Sequence, residues 1–159
     1  MSAHLAGYSP RTTSYALLNL DANVDAESRR LNKQHNLVLT GLGHRSPVPP
    51  EVDLSSVKTI LDAAAGTCIW LLDVINQPEV RERISDMELY ASDISLAKFP
   101  PAEVIDNFGI KVSEHDVTKP FPEELIGRFD LVHSRAISSA LTPYQWRLAL
   151  ANFQTLLSM

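Results

Sequence analysis

The chain has 159 residues, 45% of them hydrophobic and 21% charged, which fits one globular domain and excludes a disordered or fibrous chain. Its formal net charge of -5, with no cluster of lysines and arginines, excludes a nucleic-acid partner held by phosphate neutralisation. A lone cysteine, Cys68, closes no internal disulfide, and His4, His35, His44, His115 and His133 lack the short paired spacings of a zinc site.

The N-terminal MSAHLAGYSPRTTSY has neither an apolar core nor a basic flank, so it does not read as a secretory signal. No apolar run reaches the roughly 18 residues of a membrane span, and a cytoplasmic protein is expected. The first 22 residues, rich in Ser, Thr, Tyr and Gly, predict an extended arm. A helix should follow in VDAESRRLNKQHNLVLTGLG, with Asp25 as N-cap and Glu27 favouring the positive end of the dipole. Leu31, Val38 and Leu42 form its expected inward face, and Gly41 and Gly43 its stop. HRSPVPPEVDL, with three prolines, reads as a loop or linker, dividing an N-terminal arm (1–54) from the main domain (55–159).

Beyond it the period changes. VKTILDAA (57–64), MELYAS (87–92), GIKVSEH (109–115) and RFDLVHS (128–134) are apolar runs of strand length, with helix-compatible sequence between the first two and after the last. Such alternation predicts an α/β domain built on a parallel sheet, because parallel neighbours need long crossovers. The balanced Arg81-Glu82-Arg83 run reads as a solvated helix end. In the last helix Thr142, Pro143 and Gln145 make a capping box with proline at the first position, and Trp146, Leu150, Phe153 and Leu157 should lie on the sheet.

Ligands of open α/β sheets bind beyond the carboxyl ends of the strands, so those ends carry the functional question. After the first predicted strand comes Asp62-Ala-Ala-Ala-Gly-Thr-Cys68, a turn of small residues in which Gly66 can take positive φ. After the second comes Asp93, 27 residues beyond Gly66, where a carboxylate can accept from both hydroxyls of a ribose. After the third, Asp116 can accept from an exocyclic amine of adenine with Val117 flanking the ring. His133-Ser134-Arg135, after the fourth, lines the same rim.

These strings resemble class I S-adenosylmethionine-dependent methyltransferases, especially the fungal secondary-metabolism type. The resemblance rests on ESRRLNKQH, ILDAAAGTCIWLLDV, LYASDIS, SEHDVTKPFP and FDLVHSRAIS, in that order, and extends from about Tyr15 to the C-terminus. It implies a Rossmann-like parallel sheet with flanking helices and an N-terminal helical arm. S-adenosyl-L-methionine is the implied cofactor and a small-molecule natural product the acceptor. Asp62, Ala64 and Gly66 would surround the amino-acid and sulfur end, Asp93 the ribose, and Asp116 and Val117 the adenine. The backbone from His133 to Arg135 would face the methionine portion, His133 is a weak candidate base, and Tyr15 stands where a lid closes.

Two residues depart from that pattern. Ala64 replaces a glycine, which is acceptable if its φ is negative, and Cys68 replaces the glycine that packs helix against strand. Nothing is placed to activate Cys68 as a nucleophile. The chain stops at FQTLLSM, where the resemblance expects a further strand, so about four of seven strands and an exposed fourth-strand edge are expected. That edge could pair a second copy or a completing partner protein. A methyltransferase-like fold also admits a repurposed cyclase or a non-catalytic subunit.

Overall fold

The computed structural model describes residues 26–41, 43, 46–137 and 139–158. Four parallel strands form its sheet: β1 (Thr59–Ala63), β2 (Glu88–Asp93), β3 (Ile110–Glu114) and β4 (Leu131–His133). Their order is β3-β2-β1-β4, so the chain steps outward from β1 and then returns to its other side. That reversal opens a crevice at the carboxyl ends of β1 and β4, the place where such sheets take ligands.

Among the described residues, five α-helices accompany the sheet: α1 (Ala26–Gly41), α2 (Ile69–Ile75), α3 (Pro78–Arg81), α4 (Ala102–Asn107) and α5 (Pro143–Leu156). The sequence reading named no helix between the second and third strands; the short α4 forms there, with Pro101 just before its first helical residue, where a missing N–H costs nothing.

Both faces of β1 are covered. Ile60 packs with Trp70, Leu71 and Val74, whereas Leu61 and Ala63 pack on the opposite face with Phe129, Ala149 and Leu156. Burying each Leu or Ile contributes about 1.5 to 3 kcal/mol, against roughly 0 to 1 for an exposed ion pair, so these two layers hold the sheet. The segment before β1 joins the same core through Val48, Leu54 and Val57. It is a packed loop: Trp70 Nε1 donates to Pro47 O at 2.9 Å, and Arg83 donates to the Leu54 and Val57 carbonyls at 2.7 and 3.2 Å. Arg83 is therefore anchored, not the solvated end expected of it.

Helices α1 and α5 depart from their expected stripes. In α5 the capping box forms as expected, with Thr142 Oγ1 accepting from Gln145 N and Gln145 Oε1 from Thr142 N. Its buried positions are Ala149 and Leu156, with Phe153 partly covered, while Leu150 and Leu157 are exposed. Leu157 has already left the helix for extended backbone and bridges in parallel to Phe129 beside β4, which turns the contact face away from the 4, 3, 4 stripe. In α1 the buried residues are Ser28 and His35, and Val38 is exposed. Polar partners, described below, decide which face turns inward. Asp25 and Leu42 lie outside the described residues, and Gly43 takes φ +63 just past the helix end.

At the opposite end of the sheet from the crevice, Glu88 accepts from Lys111 Nζ at 2.9 Å, Arg128 Nη2 at 2.7 Å and Tyr90 Oη at 2.9 Å. These donors, Lys111 first, pull the Glu88 carboxyl down to about 2. An unfolded glutamate titrates near about 4.3. The folded value is the lower one, so this group's contribution to stability is complete above the unfolded value and is lost as pH falls toward 2. In urea unfolding, the advantage of the wild type over Glu88→Gln should be greatest above about pH 5 and shrink steadily below about 4. A difference independent of pH would show that the cluster does not couple to folding.

Candidate functional site

The crevice floor is the turn between β1 and α2. Ala64, Gly66 and Cys68 all occupy the left-handed region, at φ 57, 58 and 57. The sequence expectation of negative φ at Ala64 is thus overturned: alternate left-handed residues let the chain leave β1, reverse and enter α2 within a few residues. For Ala64 and Cys68 this conformation costs roughly 1 to 2 kcal/mol each relative to right-handed backbone. Backbone hydrogen bonds hold the turn, from Ala65 N to Ser92 O at 2.9 Å and from Cys68 N to Ala65 O at 2.9 Å. Cys68 is fully buried, and burial pushes its thiol pKa far up, with Asp62 and Asp93 adding to the shift. No thiolate is available there for nucleophilic chemistry.

Asp93, the last residue of β2, clamps this turn. Its Oδ2 accepts from Gly66 N at 2.8 Å and its Oδ1 from Ser95 N at 3.3 Å. Each carboxylate oxygen has two acceptor positions, so capacity remains on both. Asp116 lies two residues beyond β3. Its Oδ1 accepts from Thr118 N and Oγ1 at 2.9 and 2.8 Å, bonds that lower its pKa. Val117 beside it is mostly buried in the core.

Asp62 and His133 face each other across the β1–β4 ladder, and His133 Nδ1 meets Asp62 Oδ1 at 2.8 Å. The imidazole lies flat on the Trp70 indole, with ring centroids 3.6 Å apart and planes 5° apart. Asp62 is only 2% exposed, yet its Oδ2 has no hydrogen-bond partner among the described residues. A buried carboxylate oxygen in that state costs free energy until a donor reaches it.

Helix α1 roofs the turn. Leu31 Cδ1 lies 3.3 Å from where a side chain on Gly66 would begin, Asn32 Oδ1 accepts from Thr67 Oγ1 at 2.6 Å, and His35 Nε2 meets Asp73 Oδ2 at 3.0 Å. Arg135 Nη2 donates to His35 Nδ1. Guanidinium has no acceptor, so Nδ1 carries no hydrogen and Nε2–H donates to Asp73. The sequence reading missed Leu31, Asn32 and His35 as members of this site. Their signal was available: Ser28, Leu31, Asn32 and His35 recur at one-face helical spacing, polar though that face is.

Two adjoining cavities result. One, of about 520 Å³, is lined by Asp93, Ser95, Asp116 and Val117; the other, of about 230 Å³, by Asp62, His35, Trp70 and His133. Leu31, Ala64, Gly66 and Arg135 line both and mark their junction. Of the residues expected from sequence, Asp62, Ala64, Gly66, Asp93, Asp116, Val117 and His133 meet in this cleft, whereas Tyr15 lies outside the described residues.

No family model matches the chain. It is 34% identical over 139 residues to the methyltransferase grgD of a Penicillium species, a match covering 84% of this chain and 46% of that protein. It is 29% identical over 141 residues to the N-methyltransferase gliN of Aspergillus fumigatus, covering 89% of this chain and 45% of that protein. The chain spans somewhat less than half the length of these curated relatives. Among solved structures, the trans-methyltransferase CalH in complex with SAH shares the fold, with a TM-score of 0.50 at 21% identity over 65% of this chain and 30% of that one.

The left-handed Ala64 yields a direct test. Ala64→Gly relieves roughly 1 to 2 kcal/mol of backbone strain and adds back about 0.5 to 1 of unfolded-chain freedom. Stability measured by urea unfolding should rise by about 0.5 to 1 kcal/mol. A fall in stability would show that residue 64 does not hold this conformation.

Proposed function

We propose, for a chain that belongs with the fungal class I methyltransferases, that the two-part cleft holds S-adenosyl-L-methionine for methyl transfer to a small-molecule natural-product acceptor. One observation carries this reading: carboxylates at the ends of three successive strands, Asp62, Asp93 and Asp116, converge on adjoining cavities separated by a turn of small residues.

The donor set fits the cofactor piece by piece. Asp62 Oδ2, buried and without a partner among the described residues, suits the α-ammonium group. Asp93 keeps acceptor capacity for ribose hydroxyls while its bond to Gly66 fixes its direction. Asp116 has Oδ1 committed to Thr118, which leaves Oδ2 for the adenine amine, and Val117 presents an apolar edge to the ring. Ala64 and Gly66 give the sulfur end room to approach backbone.

Such a cofactor supplies an electrophilic methyl group on a sulfonium sulfur. What this chain contributes is positioning, because in-line transfer gains most of its rate from proximity and orientation. His133 serves that positioning. With Nδ1 on Asp62 and its ring on Trp70, it fixes the buried carboxylate in place, a better-supported role than general base. Helix α1 forms one wall through Leu31, whose Cδ1 lies against Gly66.

Calorimetric titration with S-adenosylhomocysteine tests the reading. Asp93→Ala should weaken binding by about 1.5 to 3 kcal/mol, the range for hydrogen bonds to a charged acceptor. Unchanged affinity would remove the ribose assignment, and absence of binding by the folded wild-type chain would remove the cofactor itself.

A further inference from the structure

Three elements meet at His35, a residue of α1 that is 2% exposed. Its Nε2 meets Asp73 Oδ2 of α2 at 3.0 Å, and its Nδ1 accepts from Nη2 of Arg135, two residues beyond β4. His35 lines the smaller cavity, while Arg135 and Ala136 line both. Ala136 holds φ 60, a left-handed conformation that an alanine keeps only where its surroundings impose it. The bond from Arg135 to His35 is one such restraint, placed on the residue just before it.

The two neighbours of His35 respond to a proton in opposite ways. Histidine changes its charge between about pH 5 and 8. Asp73 accepts from Nε2–H whichever charge the ring carries, and it gains an ion pair when the ring is an imidazolium. Arg135 tolerates the neutral ring alone. A guanidinium carries donors and no acceptor, so a hydrogen on Nδ1 sets N–H against N–H and one cation against another. Protonation therefore strengthens the link from α1 to α2 and breaks the link from α1 to Arg135. Among the described residues, the other titratable groups of this cavity are Asp62 of β1 and His133 of β4, which bond to each other at 2.8 Å, and the cavity-lining neighbours of His35 on α1, Leu31, Gln34 and Val38, carry no charge.

We infer that His35 is a proton-sensitive latch on the cleft. Neutral, it ties α1 to Arg135 and Ala136 and holds the wall that both cavities share. Protonated, it stays on Asp73, releases Arg135 and lowers the affinity of the cleft for its cofactor. The loss of affinity rests on the cofactor reading above; the release of Arg135 does not. A ligand that binds the latched form drives a proton off His35, so pH and affinity are linked through this one ring.

Two measurements test the latch, and the first needs no ligand. In an NMR titration of the wild type between about pH 8 and 5, His35 Nδ1 should start without a hydrogen. The amide signals of Arg135 and Ala136 should then move with the same midpoint as the His35 ring, and that transition should be absent from His35→Gln. The second is calorimetry with S-adenosylhomocysteine over the same range. Wild-type affinity should fall by roughly 3- to 10-fold per pH unit as His35 protonates, tenfold being the limit for one linked proton. His35→Gln, which keeps any contribution from His133, should lack that fall. A hydrogen on Nδ1 at neutral pH, a ring that stays neutral throughout, Arg135 and Ala136 signals that do not follow it, or equal pH dependence of affinity in both proteins overturns the latch. If His35→Gln does not fold, the wild-type NMR titration decides alone. A folded wild type that binds nothing at any pH, with Arg135 still following His35, overturns the cofactor reading and leaves the release of Arg135 standing.

Discussion

The bond from Gly66 N–H to the Asp93 carboxylate joins the two strand ends on which the rest of the site is built. It holds the turn after β1 to the end of β2, where Ala65 N also reaches Ser92 O. The turn needs holding, since Ala64 and Cys68 keep left-handed backbone without glycine's freedom. Their combined strain, about 2 to 4 kcal/mol, is of the same size as one charge-assisted bond and one or two backbone bonds, so the clamp and the strain nearly offset. Cleft shape follows from that balance, because Ala64 and Gly66 line both cavities.

A second layer of constraint comes from α1. Its inward face is largely polar: Asn32 accepts from Thr67 of the turn, and His35 links Asp73 to Arg135 across the roof of the cleft. Buried polar contacts of this kind stabilise little in net terms, yet they tolerate only one arrangement, because every alternative leaves a group unpaired. They therefore fix where the helix sits over Gly66. The apolar faces of β1 supply the bulk of the stability, and the polar roof supplies the geometry.

Much of this was legible in the chain. Four apolar runs marked the four strands, and Asp62, Asp93, Asp116 and His133 stood at their ends as expected, because strand length and turn chemistry are local properties. Handedness of the turn was not legible: alanine at position 64 says nothing about φ until its neighbours close around it. The inward face of α1 was misjudged because hydrophobicity favours Val38 over His35, whereas the actual choice is made by Asp73 and by Arg135, which lies 100 residues away. The same distance explains why Arg135 read only as part of the rim. In α5, the exit of Leu157 into extended backbone moved the contact face, an event set by its pairing with Phe129 and invisible to helical periodicity.

The central claim is that residues from separate strand ends form one cofactor cleft. The most direct measurement is an amide-resolved NMR titration of the wild-type chain with S-adenosylhomocysteine. The account predicts that Gly66, Asp93, Ser95, Asp116, Val117 and Arg135 shift together along one saturating curve, with Lys111 and Arg128 at the far end of the sheet unmoved. Shifts confined to one strand end, or spread with different saturation at each, would contradict it.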